Sequence, residues 1–111
     1  MSDYLVVLVT AGSAEEAERI GSTLVREMLA ACVNILPGCH SIFCWGGEVQ
    51  KEEEVLMLIK TRRTVFERLS QRIIDLHSYE VPEIIALPVE LGSLHYLNWL
   101  AGQVPVGMSD I

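Results

Sequence analysis

The sequence predicts an α+β fold: a four-stranded antiparallel sheet, two long helices and an oversized β-hairpin, in the order β-α-β-β-α-β. Three observations carry that prediction. Tyr4-Leu-Val-Val-Leu-Val-Thr10 is apolar and β-branched on both alternating faces, as a central buried strand is. Two long strand-like runs, Ala31 to Trp45 and Glu48 to Thr61, flank Gly46-Gly47, a two-residue hairpin turn signal. Two further stretches place apolar residues at helical spacing behind a Ser/Thr-x-x-Glu capping box.

The elements follow in chain order. After the first strand, Ser13-Ala-Glu-Glu16 opens a helix over about residues 13 to 30, with Ala17, Ile20, Leu24 and Met28 on its apolar stripe. The hairpin comes next. At a rise of roughly 3.3 Å per residue, Glu48 to Thr61 extends about 45 Å, so its outer half projects from so small a domain. Pairing Trp45 with Glu48 sets Cys39 opposite Glu54, with an irregularity expected at Pro37-Gly38. Thr64-Val-Phe-Glu67 opens a second helix with Phe66, Leu69, Ile73 and Leu76 on its stripe, ending near His77. Ile84 to Val89 reads as a fourth strand whose Pro88 suits an edge or a strand end. Ser93 caps a short terminal helix presenting Leu94, Leu97 and Leu100. The single domain spans 1–111, with a core of about 4–101 and a tail over 102–111.

Right-handed crossovers put both long helices on one face of the sheet. The other face is also apolar, because Val6 and Leu8 lie opposite Leu5, Val7 and Val9 in pleat parity, and Leu56 and Leu58 opposite Val55, Met57 and Ile59. A projecting two-stranded arm and an uncovered apolar face together predict a homo-oligomer.

Composition narrows the partners. The chain has 111 residues, 50% of them hydrophobic, and a net charge of −7. That charge argues against nucleic acid and against an anionic membrane surface, and leaves room for cations. Met1-Ser2-Asp3 has no basic n-region and Tyr4 to Val9 is far shorter than a membrane span, so a cytoplasmic location is expected. Three cysteines, Cys32, Cys39 and Cys44, read as reduced thiols, with Cys32 a buried small hydrophobe.

Three constellations carry chemistry. The turn His77-Ser-Tyr-Glu-Val-Pro-Glu83 offers an imidazole and the carboxylates of Glu80 and Glu83, ligands for a divalent metal such as copper or zinc. The structural reading of the same residues is that His77 satisfies helix carbonyls and the helix dipole while the glutamates are solvated. Cys39, His40 and Cys44 pair soft thiolates with an imidazole, again suited to copper or zinc, against ordinary packing and turn roles. Lys60, with Trp45 and Tyr79 as cleft walls, suits a phosphate or carboxylate, against snorkelling or an ion pair. Thr10-Ala-Gly-Ser13 enters a helix N-terminus that can take an anion or simply be capped. Lys51-Glu-Glu-Glu54 reads as a solvated stretch of the arm. No nucleophile with an evident base is visible, and no enzymatic activity is expected.

Ala31-Cys-Val-Asn-Ile35, Ser41-Ile-Phe-Cys-Trp45, Glu54-Val-Leu-Met-Leu-Ile-Lys-Thr61, His77-Ser-Tyr-Glu-Val-Pro-Glu83 and Tyr96-Leu-Asn-Trp99 occur here in one order. With these residues the chain resembles the CutA divalent-cation tolerance family from about Tyr4 to Leu100. The resemblance implies a trimer of ferredoxin-like subunits, similar in shape to PII proteins, with sheets facing inward and hairpins clasping neighbours. It implies a role in tolerance of copper and other divalent metals, with a divalent cation or small ligand bound at or near subunit interfaces. The alternative is a PII-like sensor binding a nucleotide or small anion in inter-subunit clefts. In some copper-binding relatives the ligands are a cysteine at the end of the first strand and adjacent histidines after the second helix. Here those places hold Val9 and Leu76-His77.

Overall fold

A computed structural model describes residues 2–106. Its elements are β1 (Tyr4–Ala11), α1 (Ala14–Arg26), β2 (Cys32–Trp45), β3 (Glu48–Arg62), a 3₁₀ turn over Arg63–Val65, α2 (Phe66–Leu76), β4 (Ile84–Pro88) and α3 (Leu94–Gln103). The sheet order is β2-β3-β1-β4 and every neighbouring pair is antiparallel, giving the predicted α+β architecture. Pro88 closes β4 on an edge of the sheet, one residue short of the predicted Val89.

The hairpin forms as the Gly-Gly pair dictates. Gly46 and Gly47 have φ of 61° and 82°, the left-handed pair that a two-residue turn between twisted strands requires, and Trp45 pairs with Glu48. The register breaks between Leu36 and Cys39, at Pro37-Gly38, and resumes with Cys39 opposite Glu54. Because β1 pairs with β3 only from Val55 to Arg62, the stretch Glu48 to Glu54 has β2 as its one neighbouring strand and stands off the body. The molecule is accordingly 44 Å long and 27 by 25 Å across.

One face of the sheet is sealed. Leu5, Val7 and Val9 of β1 and Val55, Met57 and Ile59 of β3 share a buried core with Ala17, Ile20 and Leu24 of α1 and Leu69 and Ile73 of α2. The opposite face carries Asn34, Leu58, Leu8 and Ile85 in one cross-strand row, with Lys60, Val6 and Leu87 in the next. α3 reaches one end of this face, where the Tyr96 hydroxyl bonds Cys32 and the Arg62 guanidinium donates to the Val104 carbonyl, and Ile85 and Leu87 are left 52% and 48% exposed.

Several boundaries differ from the sequence prediction. The Ser13 hydroxyl caps α1 by accepting the Glu16 N–H at 3.2 Å, but the helix ends at Arg26 rather than near residue 30. Met28 adopts φ 60°, and the N–H groups of Leu29 and Ala30 both close on the Leu24 carbonyl. This early stop lets the Ala31 N–H reach the Lys60 carbonyl and the buried Thr61 hydroxyl reach the Leu29 carbonyl, at 2.9 and 2.7 Å. Thr64 does not cap α2: the chain makes a 3₁₀ turn, and the wholly buried Val65 occupies the cap position with no side-chain bond. Ser93 stands at the start of α3 and likewise makes no capping bond. α3 runs to Gln103, and Val104 is wholly buried with its carbonyl accepting from the Arg62 guanidinium at 3.1 Å. The core therefore extends past 101, while residues 107–111 of the expected tail lie outside the described residues.

Ile59 is wholly buried between Val7 and Val33 in adjacent strands. Ile59→Ala is expected to cost about 2–5 kcal/mol, read as a lower urea midpoint with an unchanged slope. A loss under about 1 kcal/mol would contradict the close packing described.

Candidate functional site at the base of the arm

The turn after α2 is held by one buried imidazole. α2 stops at Leu76, and the His77 side chain is fully buried with Nε2 2.8 Å from the Thr10 carbonyl. The Tyr79 N–H donates to His77 Nδ1 at 3.0 Å. A ring nitrogen that accepts an N–H carries no proton of its own, so Nε2 bears the ring proton and donates it to the Thr10 carbonyl, and both nitrogens are committed. The His77 and Tyr79 rings pack with centroids 4.6 Å apart.

Glu16 closes the other side of this turn. Its carboxylate accepts the Ser78 N–H at 2.7 Å and the Gly12 N–H at 3.4 Å, with Arg19 at 3.9 Å. Burial pulls its pKa upward, but the bonds from Ser78 and Gly12 outweigh that and hold it below the usual carboxylate value. The same carboxylate fills the N-terminus of α1, the place where the sequence allowed an anion.

Tyr79 reaches from the turn to the arm. Its hydroxyl donates to Glu54 Oε2 at 2.8 Å, and Glu54 is only 8% exposed. Burial, the bond to Glu54, and the charges of Glu54, Glu16 and Glu52 push the Tyr79 phenol up to about 12. The prediction that all of Lys51 to Glu54 is solvated is corrected for Glu54, because the strand delivers it under the Tyr79 ring.

Above this node lies a cleft with two lobes, of about 450 and 480 Å³, sharing Phe43, Trp45, Glu54 and Tyr79. One lobe runs along the arm to Gln50 and Glu52. The other reaches Thr10, Glu80, Val81 and Glu83.

The predicted residues distribute unevenly around it. Glu80 and Glu83 are exposed on the cleft with Trp45 and Tyr79, while His77 is buried beneath it. Lys60 is elsewhere, on the open sheet face between Val6 and Cys32, donating to the Asn34 side chain. Cys39, His40 and Cys44 pair with Glu54, Glu53 and Val49 along the ladder. Strand alternation sends Cys39 and His40 to opposite faces and separates Cys39 from Cys44 by about 17 Å. Among the described residues no three or more His, Cys, Asp and Glu side chains gather as a metal-holding group. Val9 is wholly buried in the core. Cys32 is half-buried rather than buried, with a bond to the Tyr96 hydroxyl. The capping box foretold the reach of Glu16 back to Gly12, but its bond to Ser78 and the bond between Thr10 and His77 had no sequence signal, since those partners lie more than sixty positions apart.

A family model described as CutA1 divalent ion tolerance protein matches residues 5–103. The "Divalent-cation tolerance protein CutA" of Thermus thermophilus is 52% identical over 95 residues, covering 86% of this chain and 92% of that protein. "Protein CutA 1, chloroplastic" of Oryza sativa is 45% identical over 96 residues, and this chain spans 54% of its length. A crystal structure of CutA1 from Oryza sativa superposes with a TM-score of 0.92 at 40% identity, covering 96% of this chain and 97% of that one.

Glu16, with its pKa held low, stabilises the fold above the unfolded carboxylate's pKa, and that contribution is lost as pH falls through the folded value. Glu16→Gln is expected to lower stability at pH 7 by about 1–3 kcal/mol and to flatten the acid decline. Urea unfolding from pH 7 to about pH 3 checks this, and equal pH slopes for the two proteins would contradict it.

Proposed function

Because the chain belongs to the CutA1 divalent ion tolerance family, we propose that it serves in tolerance of divalent metals, copper among them, as a non-enzymatic homotrimer. In this reading it binds a cation in the cleft at the base of its arm. The observation that carries the reading is that Glu54, Glu80 and Glu83 all line that one cleft, in a chain of net charge −7.

The donor set does not fit a tight copper or zinc centre built within one chain. His77 has no free nitrogen, and the thiols lie along the arm rather than together. Carboxylates alone suit weak, exchangeable binding of a hard or borderline cation. A small-anion sensor is less well supported: the cleft is lined by carboxylates, the α1 N-terminus holds Glu16, and Lys60 lies on another face. Assembly is supported by the open face, where Val6, Leu8, Leu56 and Leu58 stand half-buried beside Ile85 and Leu87. At about 25 cal/mol per Å², covering a few hundred Å² of such surface is worth several kcal/mol.

Titration calorimetry with Cu²⁺ and Zn²⁺ is expected to show dissociation constants of about 10⁻⁴ to 10⁻³ M, weakened in a Glu80→Gln, Glu83→Gln double variant. Unchanged binding in that variant would remove the cleft from the reading. Leu58→Glu places a charge in the middle of the open face and is expected to yield smaller species in sedimentation. A wild-type chain sedimenting as a 12.4 kDa subunit at micromolar concentration would overturn the assembly.

A further inference from the structure

We propose that the cleft at the base of the arm takes an organic ammonium ion, seated against Phe43, Trp45 and Tyr79 and neutralised by Glu54, Glu80 and Glu83. This rests on the reading of the cleft as a cation site and goes beyond it in naming the chemical class. The walls and the charges ask for different things of a ligand. A hydrated metal ion gains from the carboxylates but leaves three aromatic side chains facing water, whereas a neutral apolar ligand covers the rings and desolvates carboxylates without return. An ammonium ion carrying alkyl groups satisfies both, since its positive charge is attracted to ring faces as well as to carboxylates.

Two features of the cleft sharpen this. Glu54 is nearly buried, its hydrogen bond comes from a neutral phenol, and among the described residues no lysine or arginine pairs with it. The deepest carboxylate thus has a donor but no counter-charge. Trp45, at the other extreme, is 73% exposed, a large ring lining the cleft beside the Gly46-Gly47 turn. A volume of about 480 Å³ admits a small organic ligand.

The test uses the full-length chain with Trp99→Phe, so that Trp45 is the one tryptophan, and circular dichroism to verify folding. Tetramethylammonium and choline are titrated against 3,3-dimethylbutan-1-ol, a neutral analogue of choline, and against Zn²⁺. The ammonium ions are expected to change Trp45 emission saturably, with the alcohol at least tenfold weaker. Glu54→Gln, which keeps an acceptor for Tyr79, is expected to weaken ammonium binding at least tenfold. In the Trp45→Leu variant, calorimetry replaces fluorescence and is expected to show the same loss. Alcohol binding as tight as choline, or Zn²⁺ binding with no ammonium response, would overturn this inference and leave the metal reading standing. Silence toward every probe would remove both.

Discussion

One layer of helices serves a sheet that is apolar on both sides. β1 lies second from an edge yet carries no polar face: Leu5, Val7 and Val9 enter the core while Val6 and Leu8 emerge on the far side. Each subunit can therefore be well packed and still be unfinished, because the same alternation that builds the core repeats it on the side where Ile85 and Leu87 stay about half exposed. The arm compounds this, since the half of the hairpin beyond Ala11 has lost β1 and is a two-stranded ribbon, a form that is marginal alone in water.

What aims that ribbon is polar. The Thr10 carbonyl at the end of β1, the His77 ring, the Tyr79 backbone and hydroxyl, and the Glu54 carboxylate form one chain of hydrogen bonds from body to arm. Glu16 braces the same turn from α1 through the Ser78 and Gly12 N–H groups. Buried networks of this kind are directional where apolar packing is not, and every polar side-chain atom buried in the described residues has a partner. The cleft owes its shape to this node. His77 works by holding Tyr79, and Tyr79 presents both a ring and a hydroxyl to the cleft.

Much of the fold was legible in local sequence because its signals are local. Gly46-Gly47 set the turn, the turn set the register, and the register correctly placed Cys39 opposite Glu54. The two-sided β1 was equally plain. Helix ends were read less well: Met28 continues the apolar stripe of α1 in sequence, but the Thr61 and Lys60 contacts to the loop behind it come from a distant strand. Thr64 has cap chemistry, yet burying Val65 decides the geometry there. At the site, Trp45, Tyr79, Glu80 and Glu83 were identified as residue types and do share a cleft, whereas Glu54 was read as a solvated charge. Nothing in Lys51-Glu-Glu-Glu54 distinguishes the last glutamate from its neighbours; its burial comes from a tyrosine twenty-five positions on.

The arm links the two unfinished features of the molecule. Ile42, Trp45 and Val49 are 65%, 73% and 75% exposed on the outer hairpin, large apolar groups with no cover from their own chain. In the proposed trimer a neighbouring subunit is the natural cover for Ile42 and Val49, which share one face of the ribbon, while Trp45 on the other face walls the cleft. A ligand that fixes Trp45 then favours whichever arm position the neighbour also favours, and by linkage the neighbour strengthens the ligand to the same degree. Cleft occupancy and assembly are on this argument two expressions of one equilibrium, joined through the hydrogen bonds that run from Thr10 to Glu54.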